Sequence, residues 1–177
     1  LYFEYNPSPP AALLAWGNEV LRTNAHRRAI LVTHGFGNTA NPLAFSAQGA
    51  AIYQAFKTNK NIIMMLGGHV TGQGARQDTY SGHTIRTFVQ DYQGWTNGGN
   101  GFMRTYTFSP SNNVVVAQTF SPWTGEYLTD QHSEFFFSYD LKAPGIGAAG
   151  SFVPLATNLA VASGGLSTCS WPGLQAD

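Results

Sequence analysis

The pattern of apolar and polar positions divides the first half of the chain into strand, helix and strand. The unbroken apolar run Ile62 to Leu66 is typical of a strand that is buried on both faces. Ala29 to Val32 is a shorter run of the same kind. The segment between them, Ala47 to Lys57, has the length and apolar spacing of a helix. These three segments predict a βαβ unit with two parallel strands.

Further elements are predicted on both sides of this unit. Leu1 to Tyr5 is a short β-like segment, and Ala11 to Arg22 has helical spacing directly after Pro9-Pro10, which a helix start tolerates. After Arg76 the pattern changes to alternation, which predicts an antiparallel meander. Its strands are Thr84 to Tyr92, Phe102 to Phe108, Val114 to Phe120 and Glu134 to Tyr139. The predicted fold class is α/β.

The pattern changes again near the carboxyl end. Residues 143–151 are rich in Gly and Ala and predict a linker. Beyond it, the strand-like pieces Leu155 to Ala162 and Thr168 to Trp171 resemble the opening of an immunoglobulin-like or fibronectin-type module. Such a sandwich takes about 100 residues, so we expect only its start here. The predicted division is therefore 1–142 for the α/β unit, 143–151 for the linker and 152–177 for an incomplete β module.

One histidine follows each strand of the predicted βαβ unit. Val32-Thr33 leads into His34, and Gly67-Gly68 leads into His69. Ligands of open α/β sheets bind at the carboxyl ends of the strands, so we expect both imidazoles at one edge of the sheet. Imidazole binds Zn, Fe, Ni and Cu alike. His34 and His69 are therefore the candidate metal ligands, although catalytic zinc usually has three protein ligands.

Composition narrows the classes of partner. The chain has 9 Lys and Arg against 9 Asp and Glu, so no charge signal indicates nucleic acid or an anionic membrane surface. No apolar run approaches the ~20 residues of a membrane span. Only 10% of residues are charged, and many are Asn, Thr or aromatic, which favours an extracellular or cell-surface protein. The single Cys169 excludes a disulfide within the chain.

Residues 1 to about 142 resemble the C-terminal half of the calcineurin-like metallophosphoesterases. Val32-Thr33-His34-Gly35 is similar to a family motif in which a strand ends in histidine. Gly68-His69-Val70-Thr71 is similar to the Gly-His-x-His motif, with Thr71 in place of the last histidine. The later part of the chain is also similar, over Asp91 to Gln93, Asn97 to Arg104, Thr119 to Pro122 and Thr129-Asp130.

The resemblance implies an αββα sandwich with a dinuclear site for Zn, Fe or Mn. In the family, the histidines that match His34 and His69 bind the same metal, and the histidine missing at Thr71 would bind the other. We expect no counterpart anywhere in these residues of the early motifs Asp-x-His, Gly-Asp-x-x-Asp and Gly-Asn-His-Asp/Glu. We therefore expect a missing N-terminal half, in the same or a separate chain, to complete the site. Alone, the 177 residues should not hydrolyse a phosphoester, and we assign no catalytic residue among them.

Two other function classes stay open. One is a non-catalytic extracellular module, structural or for assembly, derived from the same fold. The other is an α/β-hydrolase, because Val32 to Gly37 also resembles the oxyanion-hole segment of that fold. The Gly-x-Ser-x-Gly elbow that an α/β-hydrolase needs does not occur in the sequence.

The remaining polar candidates have plainer interpretations. His83 is expected in a loop near the site, where it could replace the missing ligand. Arg76 and Arg104 have the guanidinium geometry that suits phosphate, although Arg104 on an alternating strand is expected at the surface. Thr71 is expected to form a turn. Surface or turn positions are also expected for His26, His132 and Asn97-Gly98-Gly99, and sheet packing for Phe135 to Phe137.

Overall fold

The structure, a computed structural model, describes residues 1–141 and 149–154, which form a mixed α/β architecture with two sheets. This confirms the predicted α/β class. The helices are α1 (Ala11–Thr23), α2 (Ala47–Phe56) and α3 (Thr96–Gly99). The strands are β1 (Ala29–Val32), β2 (Ile62–Gly67), β3 (Gly72–Tyr80), β4 (His83–Asp91), β5 (Met103–Ser109), β6 (Val114–Phe120), β7 (Tyr127–Leu128), β8 (Phe135–Tyr139) and β9 (Ala149–Pro154). Among residues 1–141 and 149–154, none of the helices has the length and apolar character that a membrane span requires.

The first sheet has the strand order β1-β2-β4-β3. β2 pairs in parallel with both β1 and β4, and β3 pairs antiparallel with β4. The amino-terminal residues extend this sheet beyond β1, because Phe3 N–H donates to the Val32 carbonyl at 2.8 Å. The predicted βαβ unit is confirmed, with α2 as the crossover helix.

One strand of this sheet has no counterpart among the predicted elements, and one expectation about the sheet is wrong. The polar and Gly-containing segment Gly72–Tyr80, to which the sequence pattern assigns no element, forms β3 in a hairpin with β4. The segment Thr84 to Tyr92 is predicted in the antiparallel meander, yet β4 lies in the first sheet beside β2. β4 is buried over seven consecutive residues, as a central strand is, but its Thr and Arg side chains interrupt the continuous apolar run that marks such a strand in a sequence.

The second sheet is the antiparallel meander, with the order β5-β6-β8-β9 and with β7 paired to β6. One face of the first sheet packs on this sheet through a buried cluster formed by Ile63, Met64, Phe88, Val115, Ala117, Phe135, Phe137 and Tyr139. The helices cover the other face through Leu21, Ile52 and Phe56. The layers therefore run helix, sheet, sheet, and the packing role expected for Phe135 and Phe137 is confirmed.

β9 (Ala149–Pro154) crosses a predicted domain boundary. Its backbone pairs antiparallel with β8, with Pro154 opposite Phe135. This strand runs across the predicted boundary between the linker (143–151) and the β module (152–177), and it extends the second sheet. The strand-like pieces Leu155 to Ala162 and Thr168 to Trp171 lie outside the described residues.

The expectation that Arg104 is a surface residue is wrong. Its guanidinium is half-buried, donates to Thr119 Oγ1 at 3.0 Å and to the His132 carbonyl at 2.6 Å, and also contacts Gln73 Oε1. Gln73 is on β3, so Arg104 links the second sheet to the edge of the first. The sequence pattern of β5 alternates, but it does not show that β3 lies within reach of one of its faces.

Gly49 makes the contact that ties α2 to the loop after β1. A Cβ atom added at Gly49 would overlap the Phe36 carbonyl oxygen, which accepts the Ser46 N–H at 2.9 Å. We expect Gly49→Ala to lower the free energy of unfolding by about 1–3 kcal/mol, because the loop must shift. Urea denaturation measures this change. Gly35→Ala is the matched control, since its methyl would meet no atom closer than 3.4 Å. Equal losses in both variants would contradict the explanation.

Candidate functional site

The structure brings His34 and His69 together at the carboxyl edge of the first sheet. His34 follows the end of β1, and His69 follows the end of β2. Nδ1 of His69 lies 2.8 Å from Nε2 of His34, and the ring centroids are 4.6 Å apart. Both side chains are exposed to solvent. The two rings therefore meet as expected from the strand ends, and their role as metal ligands stays a prediction.

The backbone of the two strand ends fixes this approach. Gly68 N–H donates to the His34 carbonyl at 2.9 Å, so the two histidine-bearing turns are bonded to each other. His69 has a φ of 74°, the left-handed conformation that non-glycine residues adopt at a cost. Such conformations persist where the surrounding structure determines them, and they cluster at functional sites. The position of the His69 ring is thus imposed by the fold.

Tyr5 is a third aromatic side chain at the histidine pair, and no sequence motif indicates a functional role for it. Its ring centroid lies 5.6 Å from that of His34 and 5.6 Å from that of His69. The extended amino-terminal segment runs parallel to β1, so Tyr5 reaches the same edge of the sheet as the histidines. Only this pairing, distant in sequence, places Tyr5 there.

Open space lies on both sides of the histidine pair. A cavity of about 280 Å³ is lined by His69, Tyr5 and Ser46, among others. A second cavity, of about 400 Å³, is lined by His34, Thr33 and Gln90, among others. A ligand or additional protein groups can therefore reach the imidazoles from either side.

A third protein ligand is not found within residues 1–141 and 149–154, where no group of three or more His, Cys, Asp or Glu side chains converges. Asp91 ends β4 at the same edge, but its carboxylate accepts the Gln93 N–H at 2.9 Å. Thr71 is exposed and packs against Gly94, where an added Cβ would overlap its side chain. The described residues therefore bring two imidazoles together here, with no third side chain of these types beside them.

The expectation that His83 lies near this site is wrong. His83 begins β4, which is parallel to β2, so it lies at the opposite end of the sheet from His69. Its side chain is buried. Burial lowers the pKa of the His83 imidazole, and the nearby backbone of Ile62 partly offsets this shift. The direction of strand pairing decides which edge His83 reaches, and the sequence does not show this direction.

Arg76 and Arg104 line a separate cleft of about 340 Å³, which Gln73 and His132 also line. Arg76 is bound to Asp78 through contacts of 2.5 and 2.7 Å, and its guanidinium lies 4.1 Å from the Phe45 ring centroid. Neither arginine lines the two cavities beside the histidine pair.

The expectation that no counterpart of Asp-x-His occurs is wrong for the sequence alone, because Asp130-Gln131-His132 has the composition of this motif. Its geometry is that of a turn. One carboxylate oxygen of Asp130 accepts the His132 N–H at 2.9 Å, and the other accepts the Ser133 hydroxyl at 2.6 Å. These bonds use the carboxylate to hold the chain reversal before β8. The turn position expected for His132 is confirmed, as is the surface position expected for His26.

Comparison with known proteins adds a relative and no family. No family model matches the chain. The chain is similar to the "Uncharacterized protein YvnB" of Bacillus subtilis (strain 168), with 30% identity over 146 residues. This match covers 73% of the present chain and 11% of the relative, so the chain spans a small part of that protein's length.

His83 makes the stability of the fold depend on pH. Because burial holds its pKa below the ordinary value of 6.5, the unfolded chain binds a proton at a pH where the folded chain does not. The contribution of His83 to the free energy of unfolding is therefore constant above about pH 6.5. Stability is lost as the pH falls below 6.5. We expect His83→Gln to lose less stability than the wild type between about pH 7.5 and about pH 5 in urea denaturation. The exposed His26→Gln is the control and should follow the wild type. Identical pH profiles for His83→Gln and the wild type would contradict this assignment.

Proposed function

We propose that this chain is part of a calcineurin-like metallophosphoesterase and that His34 and His69 bind one divalent metal ion of its site. The observation that carries the proposal is the 2.8 Å separation between Nε2 of His34 and Nδ1 of His69 at the ends of neighbouring parallel strands. The helix, sheet, sheet layering supports it, because three of the four layers of an αββα sandwich have this order.

The histidine pair fits a shared ion. Metal–nitrogen bonds to imidazole are about 2.0–2.1 Å long, so two nitrogens at this separation are close to the spacing of two ligands of one ion. Each nitrogen would bind through its lone pair, so metal binding would replace the hydrogen bond between the rings, and the ring that donates it would carry its proton on its other nitrogen. Tyr5 packs beside both rings and restrains their orientation.

The proposal assigns the rest of the site to residues outside this chain. Catalytic zinc usually has three protein ligands, and the described residues supply two. The cavities beside His34 and His69 leave room for the missing groups and for a phosphoester substrate. When bound, the divalent ions, proposed as Zn, Fe or Mn, would polarise the phosphoryl oxygens and activate water. Alone, the 177 residues should be inactive.

The second candidate function is a non-catalytic structural or assembly module derived from the same fold. The observation that favours it is that no third metal-binding side chain joins the pair among the described residues. For either function we propose an extracellular or cell-surface location, because few residues are charged and many are Asn, Thr or aromatic.

Metal content separates the two candidates. We expect elemental mass spectrometry of the intact protein to find about two transition-metal ions per chain, as two-metal phosphoesterases hold. His34→Ala and His69→Ala should each lower metal content and the rate of phosphoester hydrolysis together, by at least about tenfold in rate, because the two residues share an ion. His132→Ala, which removes an exposed imidazole from a turn, is the matched control and should retain both.

Two results would count against the enzyme. Full metal content and full rate in either His34→Ala or His69→Ala would show that the site assignment is wrong. Near-zero metal in the intact protein, persisting after incubation with Mn or Zn, would favour the structural module.

A further inference from the structure

An aromatic surface lies where the loop after β4 meets the turn between β6 and β7, since a Cβ added at Gly101 of that loop would lie 3.4 Å from Cβ of Trp123. Trp123, at the tip of that turn, is 83% exposed. Trp95 and Phe102, from the loop, are half-buried and contact each other edge to face with ring centroids 6.1 Å apart. An indole exposed to water does not gain the free energy that burial of its apolar area would provide. A contiguous apolar patch left exposed in this way is typical of an interaction site.

The turn that carries Trp123 is held by its own hydrogen bonds. Ser121 Oγ accepts the N–H groups of Trp123 at 3.2 Å and Thr124 at 3.0 Å, and it donates to the Asn100 carbonyl. The Gly125 N–H closes the turn onto the Ser121 carbonyl at 2.9 Å. The backbone beneath the indole is therefore ordered before any ligand arrives, which reduces the entropy cost of binding.

The neighbouring loop has an unusual backbone. Five consecutive residues adopt positive φ angles, namely Asn97 (56°), Gly98 (68°), Gly99 (81°), Asn100 (47°) and Gly101 (72°). Glycine adopts this conformation freely, and asparagine does so more readily than most residues. The left-handed turn sets Asn100 beside Trp95 and Phe102 in the lining of one cavity.

That cavity has a volume of about 340 Å³ and two kinds of lining. Trp95, Phe102 and Leu128 supply apolar surface, and Thr96, Asn100 and Glu126 supply polar groups. None of its described lining residues is Lys or Arg. A nucleic-acid strand would need cations for its phosphates, so the lining disfavours one. Aromatic faces beside amide, hydroxyl and carboxylate groups match a ligand that has both apolar ring faces and many hydroxyls.

We propose that this surface binds a neutral saccharide. The C–H faces of its pyranose rings stack on Trp123 and Trp95, and its hydroxyls hydrogen-bond to Asn100 and Glu126. The proposal is independent of the metallophosphoesterase assignment, because no part of it uses His34 or His69.

Isothermal titration calorimetry of the intact protein with cellohexaose, chitohexaose and laminarihexaose tests the proposal. We expect at least one of them to bind with a dissociation constant of about 1 mM or tighter. Trp123→Ala should weaken that binding about tenfold, as the loss of one aromatic stacking surface does. Trp123 is mostly exposed, so the variant should fold, and near-UV circular dichroism checks this. Trp16→Ala, which removes a half-exposed indole from α1, is the matched control and should bind as the wild type does.

Three outcomes would overturn the proposal. The first is no heat of binding with any of the three saccharides. The second is equal affinity in Trp123→Ala and the wild type, which would place the saccharide elsewhere. The third is tighter binding of an oligouridine than of any saccharide, lost in Trp123→Ala, which would show a surface for single-stranded nucleic acid.

Discussion

The parallel pairing of β2 with both β1 and β4 is the constraint on which the rest of the structure depends. It joins Ile30 to Met64 on one side of β2 and Met64 to Arg86 on the other. Because all three strands point the same way, their carboxyl ends align at one edge, where backbone turns place His34 and His69. The same direction sends His83 to the other edge. One choice of strand polarity therefore decides which histidines can act together.

Hydrogen bonds between polar side chains, rather than ion pairs, join the second sheet to the edge of the first. Arg104, Gln73, Thr119 and Ser133 form a network of hydrogen bonds between the second sheet and β3. Its members are buried or half-buried, and an unpaired polar group in that position would cost free energy. This cost explains why the guanidinium of Arg104 turns into the protein. The network also fixes Gln73, which follows the turn after His69.

The two proposed sites lie on adjoining loops. Thr71, two residues after His69, packs directly against Gly94, which precedes Trp95. A movement of the loop after β4 would therefore reach the turn that carries His69. This contact between the Thr71 side chain and Gly94 joins the aromatic surface to the proposed metal site through directly packed residues.

The sequence by itself determined the elements that a continuous run of apolar residues marks as buried. The apolar runs at β1 and β2 predict buried strands, and a histidine after each run predicts a pair at the sheet edge. Tertiary structure decided the rest. β3 is polar and becomes a strand only because β4 pairs along its whole length, and Leu43 N–H bonds to its Ala75 carbonyl. Tyr5 joins the histidines only because residues 1–3 run beside β1. Local patterns record how deeply a segment is buried, whereas its neighbours and their direction depend on pairings between residues far apart in the chain.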